Sequence, residues 1–262
     1  MIRYERHIEL SEYGEEKQKI LLNSKVLVVG AGGLGCPVSV YLCASGVGSI
    51  TIVDDDKVSL SNLQRQILYK TKDQKQSKAV LSKEYLEGIN DDCSVHAIEE
   101  RLNEGNIENI MKDIDIVIDA SDNFNTRYLL NDFCLRHKKT LISGAVVHYD
   151  GQVSVFKAYE DDMPCYQCLY PEKPQPQDVP SCADSAVLSP VVGVIGTLMA
   201  TECIKELLGI GQSIAGSINL YNSLSSQFTK IDIEKRCACK TCGVEVQGAK
   251  IPSEYSAERH FG

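Results

Sequence analysis

The stretch Lys25-Val26-Leu27-Val28-Val29-Gly30-Ala31-Gly32-Gly33-Leu34-Gly35 decides the fold. A short β-branched run that stops at a glycine reads as a buried parallel strand. Gly30, Gly32, Gly33 and Gly35 then satisfy G-x-G-x-x-G, and the small and apolar residues from Leu34 to Ser45 read as a helix. Glycines in that setting allow a tight turn and close backbone approach, while helix N–H groups and the helix dipole hold phosphate. The competing use of such a turn is packing alone. Asp54 stands 21 residues beyond Gly33, at the end of a second strand Ile50-Thr51-Ile52-Val53, where a carboxylate binds ribose hydroxyls. The pattern says nucleotide, but not which one.

Working outward, strands and helices alternate. Helical character is expected over Lys75–Gly88, Ile107–Met111 and Asn125–His137. Strands are expected at Val95–Ile98, at Ile114–Ile118 followed by Asp119, and at Thr140–Ile142. This predicts an α/β, Rossmann-like fold with a mostly parallel sheet and helices on both faces. After Gly144 the pattern changes. Gly151 to Phe156 alternates in the antiparallel manner, and a loop follows that is rich in proline and polar residues, with Pro164, Pro171, Pro174, Pro176 and Pro180. A helix returns over Val191–Leu208, with short strands around Ile218–Tyr221 and Gln227–Ile231 extending the same domain.

At 262 residues, with 24% charged and 43% hydrophobic side chains, the chain is of ordinary globular composition and long enough to bury a core. The net charge of −9 argues against broad nucleic-acid binding, which needs a basic footprint. The longest weakly polar run, Ala186–Thr201, is shorter than the ~18–20 apolar residues of a spanning helix, so no membrane span is expected. The first seven residues alternate charge and do not resemble a secretory signal. Eleven cysteines in such a chain suggest a reducing compartment, and a cytoplasmic protein is expected.

Several residues carry possible chemistry. In Ser61-Asn62-Leu63-Gln64-Arg65-Gln66, Arg65 offers a planar fork for phosphate oxygens and Asn62 an amide to orient them. Lys78 is a second cation at a helix start, and Asp122, just past the fourth strand, can supply a carboxylate to Mg²⁺. Either cation alone would read as a solvated surface charge. Cys165-x-x-Cys168 and Cys239-x-x-Cys242, 71 positions apart, complete the Cys₄ set of structural zinc. A redox pair or ordinary buried thiols would be the competing readings, and Cys237 is a fifth candidate ligand. Cys36, Cys43, Cys93, Cys134 and Cys203 read as core thiols. Cys182, in the polar stretch Asp178–Asp184, is read as an exposed loop thiol able to attack an activated acyl group, although its acidic neighbours discourage the thiolate.

Together these residues resemble the ThiF/MoeB family of adenylyltransferases, which activate ubiquitin-like sulfur-carrier proteins. The likeness runs from Arg3-Tyr4-x-Arg6 through Gly30–Gly35, Asp54-x-Asp56, Ser61–Gln66, Lys78, Asp122-Asn123 and Gly151-Gln152. It continues through Pro164-Cys165-Tyr166-x-Cys168-Leu169, Pro190–Gly196 and Cys239-x-x-Cys242-Gly243. The resemblance implies ATP held by the glycine loop, Asp54, Asp56, Asn62, Arg65, Lys78, Asp122 and Asn123, with Mg²⁺ on Asp122. It implies a homodimer in which Arg6 reaches the partner copy's nucleotide, and a carrier ending in Gly-Gly whose carboxylate attacks the α-phosphorus. It also divides the chain into a helical arm (1–24), a nucleotide-binding core (25–144), a carrier-binding and zinc half (145–243) and a tail (244–262). That tail is too short for a rhodanese-like extension, so a separate persulfide donor protein is expected. Asp54-Asp55-Asp56, Gln66-Ile67-Leu68 and Pro190–Gly193 lean towards the thiamine-type branch over the molybdopterin type, with Cys182 then linked to sulfur transfer. The glycine fingerprint alone would permit a nicotinamide-dependent oxidoreductase, but Tyr13-x-x-x-Lys17 lies upstream of the loop and reads as chance. A noncatalytic scaffold is opposed by the presence of Arg6, Arg65, Lys78 and Asp122 together.

Overall fold

The apolar run at Lys25–Val29 forms strand β1, and alternate residues of it feed two separate cores. Val26 and Val28 face one side of the sheet, Leu27 and Val29 the other, as the period of two requires. A computed structural model describes residues 1–174 and 186–243. Cys182, with the rest of residues 175–185 in the proline-rich loop, and the tail from 244 lie outside the described residues.

Before β1 come helices α1 (Glu5–Ile8) and α2 (Gly14–Asn23), and after it α3 (Gly35–Ser45) and β2 (Ser49–Val53). The chain continues through α4 (Lys78–Ile89), β3 (Ser94–Ile98), α5 (Ile107–Met111), β4 (Ile116–Asp119), α6 (Phe124–Arg136) and β5 (Thr140–Val147). It ends in β6 (Asp150–Phe156), α7 (Tyr166–Leu169), α8 (Ser189–Leu208), β7 (Ser217–Asn222) and β8 (Gln227–Asp232). The eight strands of the described residues join one sheet in the order β3-β2-β1-β4-β5-β6-β7-β8. The first five are parallel, and β6, β7 and β8 add antiparallel neighbours. The expected architecture is present.

One core packs α3, α4 and α8 on the sheet, and the other packs α5 and α6 on the opposite face. Helix α8 approaches α3 so closely that a Cβ on Gly196 would lie 2.4 Å from a Pro37 ring carbon. From Ser189 on, the weakly polar run forms α8, which buries Val191, Val192, Ile195, Met199 and Ala200, and no helix among the described residues is long and apolar enough to cross a membrane.

Two boundaries differ from the sequence reading by three residues or more. Helix α4 starts at Lys78, not Lys75, because Lys75 has φ +68°, a left-handed conformation that cannot continue an α-helix. Strand β5 runs on to Val147, since its outer half gains a second ladder from β6.

Candidate active site

The strand order reverses between β1 and β4, and a cleft of about 960 Å³ opens there at the carboxyl ends of the strands. Gly30 leaves β1 at φ +97°, and a Cβ on it would meet the Ala120 carbonyl oxygen at 2.6 Å. Only glycine lets the loop turn this tightly against the exit of β4. The loop is held from below by Tyr69, whose buried hydroxyl donates to the Ala31 carbonyl at 2.6 Å and lies 3.0 Å from Ser82 Oγ.

Asp54 follows β2 directly, and its carboxylate accepts from the Ala31 N–H at 2.6 Å and the Asp56 N–H at 2.8 Å. Burial raises its pKa above the ordinary carboxylate value, with Lys78 and the two N–H donors opposing that rise. Val29, Val53, Leu102 and Phe124 add apolar wall nearby, a slot suited to a flat aromatic base.

Lys78 opens α4 behind the Ser77 N-cap, which accepts from the Val80 N–H at 3.4 Å. Its side chain is only 5% exposed, and its Nζ donates to Asp56 Oδ2 at 2.8 Å. Arg65 lines the same wall beside Gly33, its Nη1 donating to the Ser61 carbonyl at 3.2 Å. Asp122 and Asn123 close the far side after β4, and Asn123 caps α6 by accepting the Thr126 N–H at 2.9 Å. Gly30, Gly32, Gly33, Asp54, Asp56, Arg65, Lys78, Asp122 and Asn123 therefore share one cleft. Gly35 backs the loop from the first turn of α3.

Two candidates stand elsewhere. The Asn62 side chain is not on the cleft wall, and its Oδ1 accepts the Ser59 N–H at 3.2 Å within a 3₁₀ turn. Arg6 on α1 is 88% exposed, paired to Glu9 at 2.9 Å, and contributes nothing to the cleft of its own chain. Residues that the sequence reading did not single out include Tyr69 and a buried Asp119–Arg127 pair under the Asp122 turn. A tyrosine and an arginine of these kinds carry no sequence mark of burial.

The four cysteines of the two pairs come together, all buried, with every sulfur within 4.8 Å of the others. Sγ–Sγ separations are 3.6 Å for Cys165–Cys239, 3.4 Å for Cys168–Cys242 and 4.0 Å for Cys165–Cys168. A tetrahedron of thiolates at the usual Zn–S distance has edges of roughly 3.8 Å, so the residues present fit such an ion. The Arg236 N–H points at Cys168 Sγ at 3.5 Å, as thiolate ligands require. Cys237 is exposed and outside the cluster.

The model of the ThiF family matches residues 4–241. A sulfur carrier protein adenylyltransferase of Thermus thermophilus is 44% identical over 93% of this chain and 91% of its own length. The SAMP-activating enzyme E1 of Haloferax volcanii is 42% identical over 92% and 88% of the two chains. The adenylyltransferase and sulfurtransferase MOCS3 of Drosophila virilis is 42% identical over 93% of this chain, but only 54% of that longer protein is covered. Among solved structures, E. coli MccB with ATP superposes with a TM-score of 0.77 at 25% identity, covering 92% of this chain and 74% of that one. A glycine loop, two cations and an acidic turn around one cleft, within a match over nearly the whole chain, make this protein a ThiF-family adenylyltransferase.

Proposed function

We propose that this enzyme adenylylates the C-terminal glycine carboxylate of a ubiquitin-like sulfur-carrier protein, as the names of its relatives suggest. The observation that carries the reading is the extent of the cleft. Beyond Asp122 it continues along Gly151 and Gln152 of β6 to Leu220, Tyr221 and Asn222 of β7. A site for ATP alone would end at the acidic turn, whereas this one has room for an extended chain end laid beside the nucleotide.

In that arrangement the base occupies the apolar slot, Asp54 takes the ribose hydroxyls, and the glycine loop with Arg65 and Lys78 takes the phosphates. A carrier carboxylate oxygen attacks the α-phosphorus, the bond to the bridging oxygen of the β-phosphate breaks, and pyrophosphate leaves. The chain supplies positioning and charge neutralisation, and no general base is needed because the nucleophile is already ionised. Mg²⁺ held on Asp122 would offset charge on the phosphate oxygens. Zinc on Cys165, Cys168, Cys239 and Cys242 would be structural, since four thiolates leave no open coordination position.

Arg6, which does not reach its own cleft, fits a role in the cleft of a second copy, so the active form is a homodimer in this reading. The pathway is thiamine thiazole formation, with a molybdopterin-type carrier as the second reading. The test is ATP–pyrophosphate exchange with candidate carriers ending in Gly-Gly and with each carrier shortened by its last residue. Exchange with a full-length carrier and none with the shortened one is expected, and exchange that ignores the carrier's end overturns the proposal.

Cys182 would attack the acyl-adenylate carbonyl, release AMP and hold the carrier as a thioester. The persulfide of a donor protein would displace the Cys182 thiolate to give an acyl disulfide, and that thiolate would cleave it, releasing thiocarboxylated carrier and leaving a Cys182–donor disulfide. Cys182→Ser is therefore expected to leave exchange almost unchanged and to abolish thiocarboxylated carrier when ATP and a persulfide donor are supplied. Thiocarboxylate at the wild-type rate, read by the mass of the carrier, would make Cys182 a spare thiol.

A further inference from the structure

The carboxyl ends of β4 and β5 hold a buried ion pair that the chemistry above does not use. Asp119, the last residue of β4, is wholly buried. Its Oδ1 accepts from Ser121 Oγ at 2.6 Å and from the Ser121 N–H at 3.1 Å, and its Oδ2 accepts from Ser143 Oγ at 2.7 Å. Arg127, in the first turns of α6, lies with Nη1 3.8 Å from the same Oδ2. Its Nη2 donates to two carbonyls on different elements, Ser121 at 2.8 Å and Gly144 at 3.0 Å. Burial opposes the guanidinium's charge, and the Asp119 carboxylate, joined by the Tyr166 and Tyr170 side chains, more than offsets it.

Such a pair is a poor route to stability, because desolvating both ions consumes much of what their attraction returns. What it does provide is placement. Ser121 is gripped at its N–H, its hydroxyl and its carbonyl, and Asn123 is fixed as the cap of α6. Asp122 is the one residue between them. The same face of α6 reaches the cysteine knuckle, because Asn131 Oδ1, one turn beyond Arg127, accepts the Tyr166 N–H at 2.8 Å. Nη2 spans the Ser121 and Gly144 carbonyls while Nη1 faces Asp119 and Ser143, and the single ammonium of a lysine cannot occupy both places.

We propose that Arg127 is a positioning residue for adenylylation: paired to Asp119, it holds the Ser121 carbonyl and so sets where Asp122 presents its carboxylate to Mg²⁺. This rests on Asp122 being the magnesium-binding carboxylate, and the experiment separates the two ideas. Arg127→Lys keeps the positive charge and cannot hold the two carbonyls and face Asp119 at the same time. Ser143→Ala is a milder change that deletes the hydroxyl donating to Asp119 and accepting from Arg127 Nη1 at 3.4 Å, and keeps the volume nearly unchanged. Asp122→Asn serves as the comparison.

Two quantities are read on each variant and the wild type: the Mg²⁺ concentration for half-maximal ATP–pyrophosphate exchange, and Mn²⁺ affinity by electron paramagnetic resonance with a non-hydrolysable ATP analogue. Loss of a group that orients a metal ligand typically weakens metal affinity by ~10–100-fold. Arg127→Lys is expected to raise both midpoints by that order, while the KM for ATP at saturating Mg²⁺ stays near the wild-type value. Ser143→Ala is expected to move both midpoints in the same direction by less, and it decides the matter if Arg127→Lys fails to fold. A lowered melting temperature with unchanged metal midpoints in the folded variants would make the pair purely structural and overturn the inference. Unchanged midpoints in Asp122→Asn would instead overturn the assignment of Asp122, whatever Arg127 does.

Discussion

Lys78→Ala and Arg65→Ala are each expected to slow carrier-dependent pyrophosphate exchange by ~10²–10³, the effect of removing one preorganised charge contact worth about 2.7–4 kcal/mol at the transition state. The fold should survive both changes. The Asp56 carboxylate left behind by Lys78→Ala is 67% exposed, so water can replace the lost ammonium. Arg65 is tied to its surroundings through the Ser61 carbonyl on a polar turn, not through a buried core contact. Circular dichroism melts close to wild type, together with the loss of exchange, would place both cations on the reacting phosphates. Near-normal exchange in both variants would remove them from the site.

The second large effect is expected at the cysteine cluster. Cys168→Ser or Cys242→Ser should lose zinc and thermal stability together, because binding free energy at a structural site is also folding free energy. The clip joins Cys165 to Cys239 across 74 residues. Closing a loop of that size restrains the unfolded chain by about 4 kcal/mol in the chain-entropy account. At roughly 2–4 °C per kcal/mol for a chain of this size, the melting temperature should fall by on the order of 10 °C. Cys237→Ser should keep the metal and the melting temperature, since its thiol is exposed and outside the cluster. Freshly purified wild-type protein without zinc would reject the site.

The parts of this molecule legible in its sequence are those where one residue type has few alternatives. Val26–Val29 and Ile116–Ile118 are continuous apolar runs because parallel strands are covered on both faces. Gly30 is legible because its backbone has a positive φ and its Cβ would strike Ala120. Paired cysteines are legible because a knuckle has a fixed spacing. Arg127 was not, since a helix containing Asn125, Thr126, Arg127, Asn131 and Asp132 looks solvated until the sheet and the cysteine knuckle are laid against it. Asn62 shows another limit: the motif gives no sign that the side-chain oxygen is taken up by its own turn, where it accepts the Ser59 N–H. Lys75 shows a third, because a charged residue ahead of a helix gives no sign that its own φ is positive.

The middle of the sheet also sets an order of assembly on the ribosome. Strand β1 pairs with β2 soon after it emerges, yet its other edge waits for β4, where Val26 meets Ile116 ninety residues later. At synthesis rates of about 5–20 residues per second, that interval lasts roughly 5–18 s. Through it the glycine turn lacks the Ala120 carbonyl on which it rests, and half of the central strand's backbone groups have no partner strand. The nascent chain therefore passes through a stage in which its most apolar strand is an open edge, the state in which a chaperone has most to offer it.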